Sequence, residues 1–123
     1  MSELVDTNII IMYGKRLFEV LGNRNIAFSS IVIFEYLNHV RKQYEEFLKR
    51  KKVDRAEELL KSSRQMIMEI KKRKIPLLHP NIDNFLDSID LAVKRKVDVG
   101  DAALASIAKS NNIQKVLSND NDW

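Results

Sequence analysis

The sequence predicts an α/β protein whose parallel sheet is covered by helices on both faces. Two observations carry this expectation. Short apolar runs alternate with segments of helical periodicity, the pattern that right-handed βαβ crossovers impose on a parallel sheet. A late segment, "DVGDAALASIAKSNN", presents an Ala-rich face suited to close packing on such a sheet.

The elements are read in order. A very short strand around Leu4 and Val5 leads through Asp6-Thr7-Asn8 into one helix, with apolar positions at Ile10, Tyr13, Leu17, Val20 and Leu21 and Gly22 as its stop. A second strand spans Ile26 to Phe28, and Ser29 or Ser30 can cap a long helix running to about Lys51. Asp54 with Glu57 three residues later resembles a capping box that opens another helix through about Lys74, so residues 41–74 are expected to form a basic helical hairpin. Leu77 and Leu78, fenced by Pro76 and Pro80, give a third strand, followed by a helix from about Ile82 to Lys94. The small-residue helix begins near Gly100, and "KVLSND" supplies the fourth strand.

At 123 residues the chain is expected to fold as one domain, large enough to bury about two thirds of its unfolded surface without a disulfide or structural metal. It has no Cys, which excludes thiol catalysis, thiol redox chemistry and Cys-type zinc sites. His39 and His79 are too far apart for a local zinc motif, three glycines form no phosphate loop, and no Ser-His-Asp signature is visible. A dehalogenase-type nucleophile would want an acid where Asn8 stands. Ser2, Glu3 and Asp6 interrupt any signal-peptide pattern, and no apolar run approaches the roughly 18 residues of a membrane helix, so a soluble cytoplasmic protein is expected. The net charge of +4 is unevenly spread. Residues 41–74 hold 13 Lys or Arg against 6 Asp or Glu, while the remainder holds 8 against 11. Such a basic helical stretch is either a solvated face or a nucleic-acid surface.

Glu35 is the odd residue of the chain, a carboxylate inside the otherwise apolar run from Ile31 to Leu37. Burying it ionised and unpartnered would cost several kcal/mol, on the order of the effective desolvation penalty of one ion. In open α/β sheets, ligands bind beyond the carboxyl ends of the strands. Asp6 follows the first strand, Asp120 follows the fourth, Asp101 opens the helix before the fourth, and Glu35 lies about one turn into the helix after the second. In a parallel sheet these four acids converge. They could not all stay ionised without a compensating cation, and Mg²⁺ or Mn²⁺ prefers such oxygen ligands while leaving room for a substrate phosphate. That chemistry suits metal-assisted phosphodiester hydrolysis. Each acid also has a plainer reading: Asp6 as a helix cap, Asp101 as a first-turn acid, Asp120 and Asp122 as turn residues, Glu35 as an exposed or Arg-paired side chain.

"LVDTNIII", the Ser followed by an acid in "SSIVIFEYL", "VGDAALASIAKSNN" and "VLSNDNDW" together resemble the PIN-domain family, in particular the VapC-like ribonuclease toxins of toxin–antitoxin pairs. The resemblance spans almost the whole chain. It implies a three-layer α/β/α sandwich of four to five short strands, and a catalytic, metal-binding pocket of Asp6, Glu35, Asp101 and Asp120, with Asp122 as an outer ligand. Thr7, Asn8 and Ser118 would support the pocket through hydrogen bonds. It also implies Mg²⁺ or Mn²⁺ as cofactor and water-mediated cleavage of single-stranded RNA. Two features depart from the family: Trp123 replaces the usual Phe, and members commonly carry a short strand after that position.

In this reading Lys49, Arg50, Lys51, Lys52, Lys71, Lys72, Arg73 and Lys74 hold RNA phosphates, which would make binding fall steeply with salt without specifying sequence. Alternatively, an apolar stripe of Tyr44, Phe47, Leu48, Leu59 and Met66 on the same hairpin serves an antitoxin or a homodimer interface. A housekeeping RNA-processing nuclease and a non-catalytic binding module are the competing functions. Four intact acids argue against the second.

Overall fold

Four strands, β1 (Glu3–Val5), β2 (Ile26–Ser29), β3 (Leu77–Leu78) and β4 (Lys115–Leu117), form one parallel sheet in the order β3-β2-β1-β4. The computed structural model describes residues 2–118, so Asp120, Asp122 and Trp123 lie outside the described residues. Glu3 stands opposite Ile26 on one side and Lys115 on the other, and Leu4 opposite Ala27 and Val116. The two inner strands are the apolar ones: Leu4, Val5, Ile26, Ala27 and Phe28 are all buried, as a parallel sheet covered on both faces requires. Helices flank the sheet, giving the three-layer α/β/α arrangement expected from the alternation.

The chain steps outward from β1 through β2 to β3, then crosses back to lay β4 against the other side of β1. The sheet therefore switches direction between β1 and β4, where such folds open a crevice. The Asp6 amide donates to the Leu117 carbonyl at 2.9 Å and joins the two strand ends at that point.

Between β1 and β2 the sequence predicts one helix, and the structure has two. Gly14, at φ +52°, stops α1 (Thr7–Tyr13), and a 3₁₀ turn at Gly14–Arg16 redirects the chain into α2 (Leu17–Leu21), which Gly22 closes at φ +58°. The redirection keeps Leu17, Phe18 and Leu21 in the core but leaves Val20 exposed. Phe18 meets Phe28 edge-on, with ring centroids 6.5 Å apart.

Ser29 caps α3 (Ser30–Lys49), its hydroxyl accepting the Ile31 amide at 3.1 Å. The expected capping box of Asp54 and Glu57 is absent. The link from α3 to α4 (Val53–Lys72) is too tight for one: the Lys52 amide donates back to Phe47, Lys51 sits at φ +58°, and Lys52 enters α4 without a side-chain cap. Asp54 then lies in the first turn, where it complements the helix dipole. The two helices pack on each other as a hairpin, and the buried Tyr36 hydroxyl donates to Ser63 Oγ at 3.1 Å.

The capping box stands instead at α5 (Ile82–Arg95), where Asn81 and Asn84 exchange bonds of 2.9 and 3.0 Å. α6 (Val99–Ser110) follows with Asp98 as its cap and buries Ala102, Ala103, Leu104, Ile107 and Ala108, the small-residue face that the sequence predicts. Among the described residues no helix is long and apolar enough to cross a membrane.

Candidate active site

Asp6 ends β1 at the switch point and is buried. Its carboxylate is held from both sides. The Thr7 amide donates to Oδ1 at 2.7 Å, and the Ser118 hydroxyl, just past β4, donates to Oδ2 at 2.8 Å. Asp6 is therefore both the cap of α1 and a carboxylate fixed in the crevice. Of the residues expected to support it, Ser118 does so directly, Thr7 does so through its backbone, and Asn8 is exposed. The Thr7 side chain is buried, and Thr7 Oγ1 makes no hydrogen bond of normal geometry among the described residues.

Glu35 reaches the same place from α3. Its Oε2 is 3.9 Å from the position that a Cβ on Gly100 would occupy, so the carboxyl lies over the first turn of α6. Although Glu35 keeps solvent contact, burial is the largest influence that raises its pKa above 4.5. The charge of Asp6 comes next. The Thr7 hydroxyl lowers the pKa, and Asp98 and Asp101 raise it further. Solvent screens these influences without reversing them. Of the run from Ile31 to Leu37, only Val32 and Tyr36 are buried, and Phe34 is 69% exposed. Glu35 thus sits at the rim of the crevice, not inside an apolar face.

Asp98 is an acid that the sequence reading passed over. Its Oδ1 accepts the Gly100 amide at 2.7 Å, and it stands three residues before Asp101. The D-x-x-D spacing was the available signal, because cap and third helical position lie on one side of a helix start. A methyl group on Gly100 would come within 2.9 Å of that Asp98 oxygen, so glycine leaves room for the acid.

The remaining expected residues are not all gathered here. Asp120 and Asp122 fall outside the described residues. Lys49 and the three residues after it lie at the hairpin tip, at least 14 residues beyond Glu35, or about 21 Å along the helix axis. Arg73 stacks over Phe18 at 4.8 Å, and with Lys74 it lines a cleft beside Asn25 and Ile26, at the edge where β2 begins. That edge is opposite the one carrying Asp6.

The crevice, its buried aspartate and the acids around it are joined by a match along the chain: the PIN domain family model matches residues 4–123. The chain belongs to the PIN domain family. No curated protein matches it significantly.

PIN domains are in general nucleases that work with divalent metal ions. The donor set of this PIN domain fits such an ion, since every candidate ligand is a carboxylate or hydroxyl oxygen, the kind that Mg²⁺ and Mn²⁺ prefer. Among the described residues no three acidic or imidazole side chains close into a ready-made cage. Mg²⁺ held by one or two carboxylates ordinarily retains several waters.

Proposed function

We propose that this PIN domain is a Mg²⁺- or Mn²⁺-dependent endoribonuclease that hydrolyses phosphodiester bonds of single-stranded RNA, and that it is the cytoplasmic toxin of a toxin–antitoxin pair. The observation that carries the reading is the fixed, buried Asp6 carboxylate at the strand switch, with the Glu35 carboxyl near enough for the Asp6 charge to help raise its pKa. Asp6, Glu35, Asp101 and Asp120 are the residues that would hold the cation, with Asp122 outside them. Bound there, the cation supplies a water of lowered pKa and offsets charge on the leaving oxygen. Thr7 and Ser118 keep the Asp6 carboxylate in one orientation. Asp98 adds negative charge at the rim and so strengthens the demand for a cation. The basic residues at the hairpin tip and at the end of α4 would bind RNA phosphates away from the cut, extending the path of the strand over the surface.

Cleavage of a single-stranded RNA with Mg²⁺ or Mn²⁺ tests the reading. Wild type should cut, Asp6→Asn and Glu35→Gln should lose at least about 100-fold, the scale seen when a charge-stabilising group is removed from an active site, and EDTA should abolish cleavage. Equal activity in all three proteins, or cleavage indifferent to EDTA, refutes it. The toxin role is tested separately: a small protein encoded beside this one should bind it and suppress cleavage.

A further inference from the structure

Phe34 stands beside Glu35 on α3, at the rim of the crevice, with 69% of its surface exposed. Single exposed apolar residues are common on protein surfaces, so what gives this one meaning is its surroundings and its position. Ser30 and Asn38 stand one turn to either side of it and Arg41 two turns on, all polar. Ile31 packs against the core, and Leu37 is turned to the flank of α3 away from Glu35. On α5, by contrast, Ile82, Phe85, Leu86, Ile89 and Val93 form a continuous exposed stripe. A lone ring among polar side chains offers little to a helix or a strand, but it matches the π-face of one nucleobase.

Successive residues of a helix point about 100° apart. The Glu35 carboxyl turns toward the first turn of α6, over Gly100, and the Phe34 ring projects outward from the rim beside it. Charge draws a polyanion to that side. Lys42 lies on the row of Glu35 two turns further along α3, about 10 Å away on the axis, and Lys49 lies one heptad beyond it. Among the described residues neither lysine joins an ion pair, whereas Glu45 and Glu46 are matched by Arg41 and Arg50. The outer face of α3 therefore leads away from the acids with a positive balance, and a strand that leaves the crevice along it passes Phe34 first.

We propose, on the reading of the crevice as a ribonuclease site, that Phe34 is the platform on which a base next to the scissile phosphate stacks. A base can lie on the ring only when it is free of a partner strand, so the contact gives the site a preference for unpaired RNA. Every base has a π-face, so Phe34 selects the state of the strand and not its sequence.

The test is the cleavage kinetics of the full chain, with Mn²⁺, on a short single-stranded RNA cut at one place and on the same RNA made abasic at the nucleotide to either side of the cut. Phe34→Ala should raise KM roughly 5- to 150-fold, the span of one base stacked on an aromatic ring. Its kcat should stay close to that of wild type, because the lost contact is made equally before and during the reaction. Phe34→Trp should keep KM at or below the wild-type value. Removing the base on one side of the cut should raise the KM of wild type by a similar factor and leave that of Phe34→Ala where it was. A merely structural Phe34 would instead lower activity on intact and abasic RNA alike. Wild type that cuts no RNA overturns this proposal together with the reading of the crevice. Wild type that cuts, with Phe34→Ala equal to it in KM or with both proteins losing equally at each abasic position, overturns the stacking platform alone.

Discussion

Replacing Ser118 with alanine tests whether the crevice acts by holding Asp6 in one orientation. Among the described residues Ser118 supplies one of two hydrogen bonds to the carboxylate, at 2.8 Å to Oδ2, and the Thr7 amide supplies the other at 2.7 Å to Oδ1. A hydrogen bond to a charged group contributes about 1.5–3 kcal/mol. At about 1.4 kcal/mol per factor of ten, its loss corresponds to a roughly 10- to 100-fold change in an equilibrium constant. Because the Thr7 bond survives, the carboxylate should pivot about one anchored oxygen and stay in the crevice. The loss should therefore fall on cation affinity, as it does when an outer-shell partner of a metal ligand is removed. Isothermal titration of Mn²⁺ should show an apparent Kd raised roughly 10- to 100-fold in Ser118→Ala, while cleavage at saturating Mn²⁺ approaches the wild-type rate. Ser118→Thr retains the donor and should stay close to wild type. An unchanged Mn²⁺ affinity in Ser118→Ala would refute the reasoning.

Three further outcomes are expected. Folded Glu35 binds its proton more tightly than unfolded Glu35, so stability should fall as pH rises from 4.5 through the raised native pKa; in metal-free protein Glu35→Gln should be more stable than wild type at neutral pH, with the gain gone below pH 4.5 in urea melts, and a gain that persists at low pH would count against it. Asp98→Asn keeps a capping side chain and should change stability by less than about 0.5 kcal/mol, yet it should move the Glu35 carboxyl titration, followed by NMR, down toward 4.5; an unmoved titration would remove Asp98 from the site. Asn84→Ala removes one bond to the Asn81 amide and two to α6 serines, and should cost about 2–4 kcal/mol in urea unfolding; a loss under about 1 kcal/mol would show that the polar seam between α5 and α6 does not hold them together.

Much of the fold is legible because strands of a parallel sheet read as uninterrupted apolar runs between helical segments: Leu4-Val5 and Ile26 to Phe28 are such runs and are buried, and Leu77-Leu78 is apolar too although Leu77 is exposed at the sheet edge. The misreadings fall where backbone conformation overrides side-chain pattern. The apolar period continues from Ile10 to Leu21 across Gly14, so periodicity alone cannot reveal that the glycine turns left-handed and breaks the helix. The Asp54–Glu57 spacing mimics a capping box, but a cap needs an extended residue before the helix, and the tight return from Phe47 to Lys52 leaves none. Periodicity also reports that α5 has an apolar stripe without reporting which way it faces. Only the bonds from Asn84 to Ser106 and Ser110 decide that.

At Asp6 the plain reading and the functional reading are compatible. An ionised carboxylate offers about four lone-pair positions. Among the described residues the Thr7 amide and the Ser118 hydroxyl occupy one on each oxygen, a pattern compatible with a cation on the others. The cap therefore orients the ligand. The same economy explains why the site stands at the end of so short a strand. β1 has three residues, and the Asp6 amide completes its pairing with β4 through Leu117, so the bond that closes the sheet also sets the carboxylate at the switch point. The raised pKa of Glu35 comes from burial and from three acids on two elements, Asp6 at the end of β1 and Asp98 and Asp101 at the cap and first turn of α6. A fold does not need to gather those charges in order to pack, and their mutual repulsion is relieved by a cation or by a proton on Glu35. Which of the two relieves it at neutral pH is what the Mn²⁺ dependence of the Glu35→Gln stability gain should reveal: saturating metal should erase the gain if the cation does.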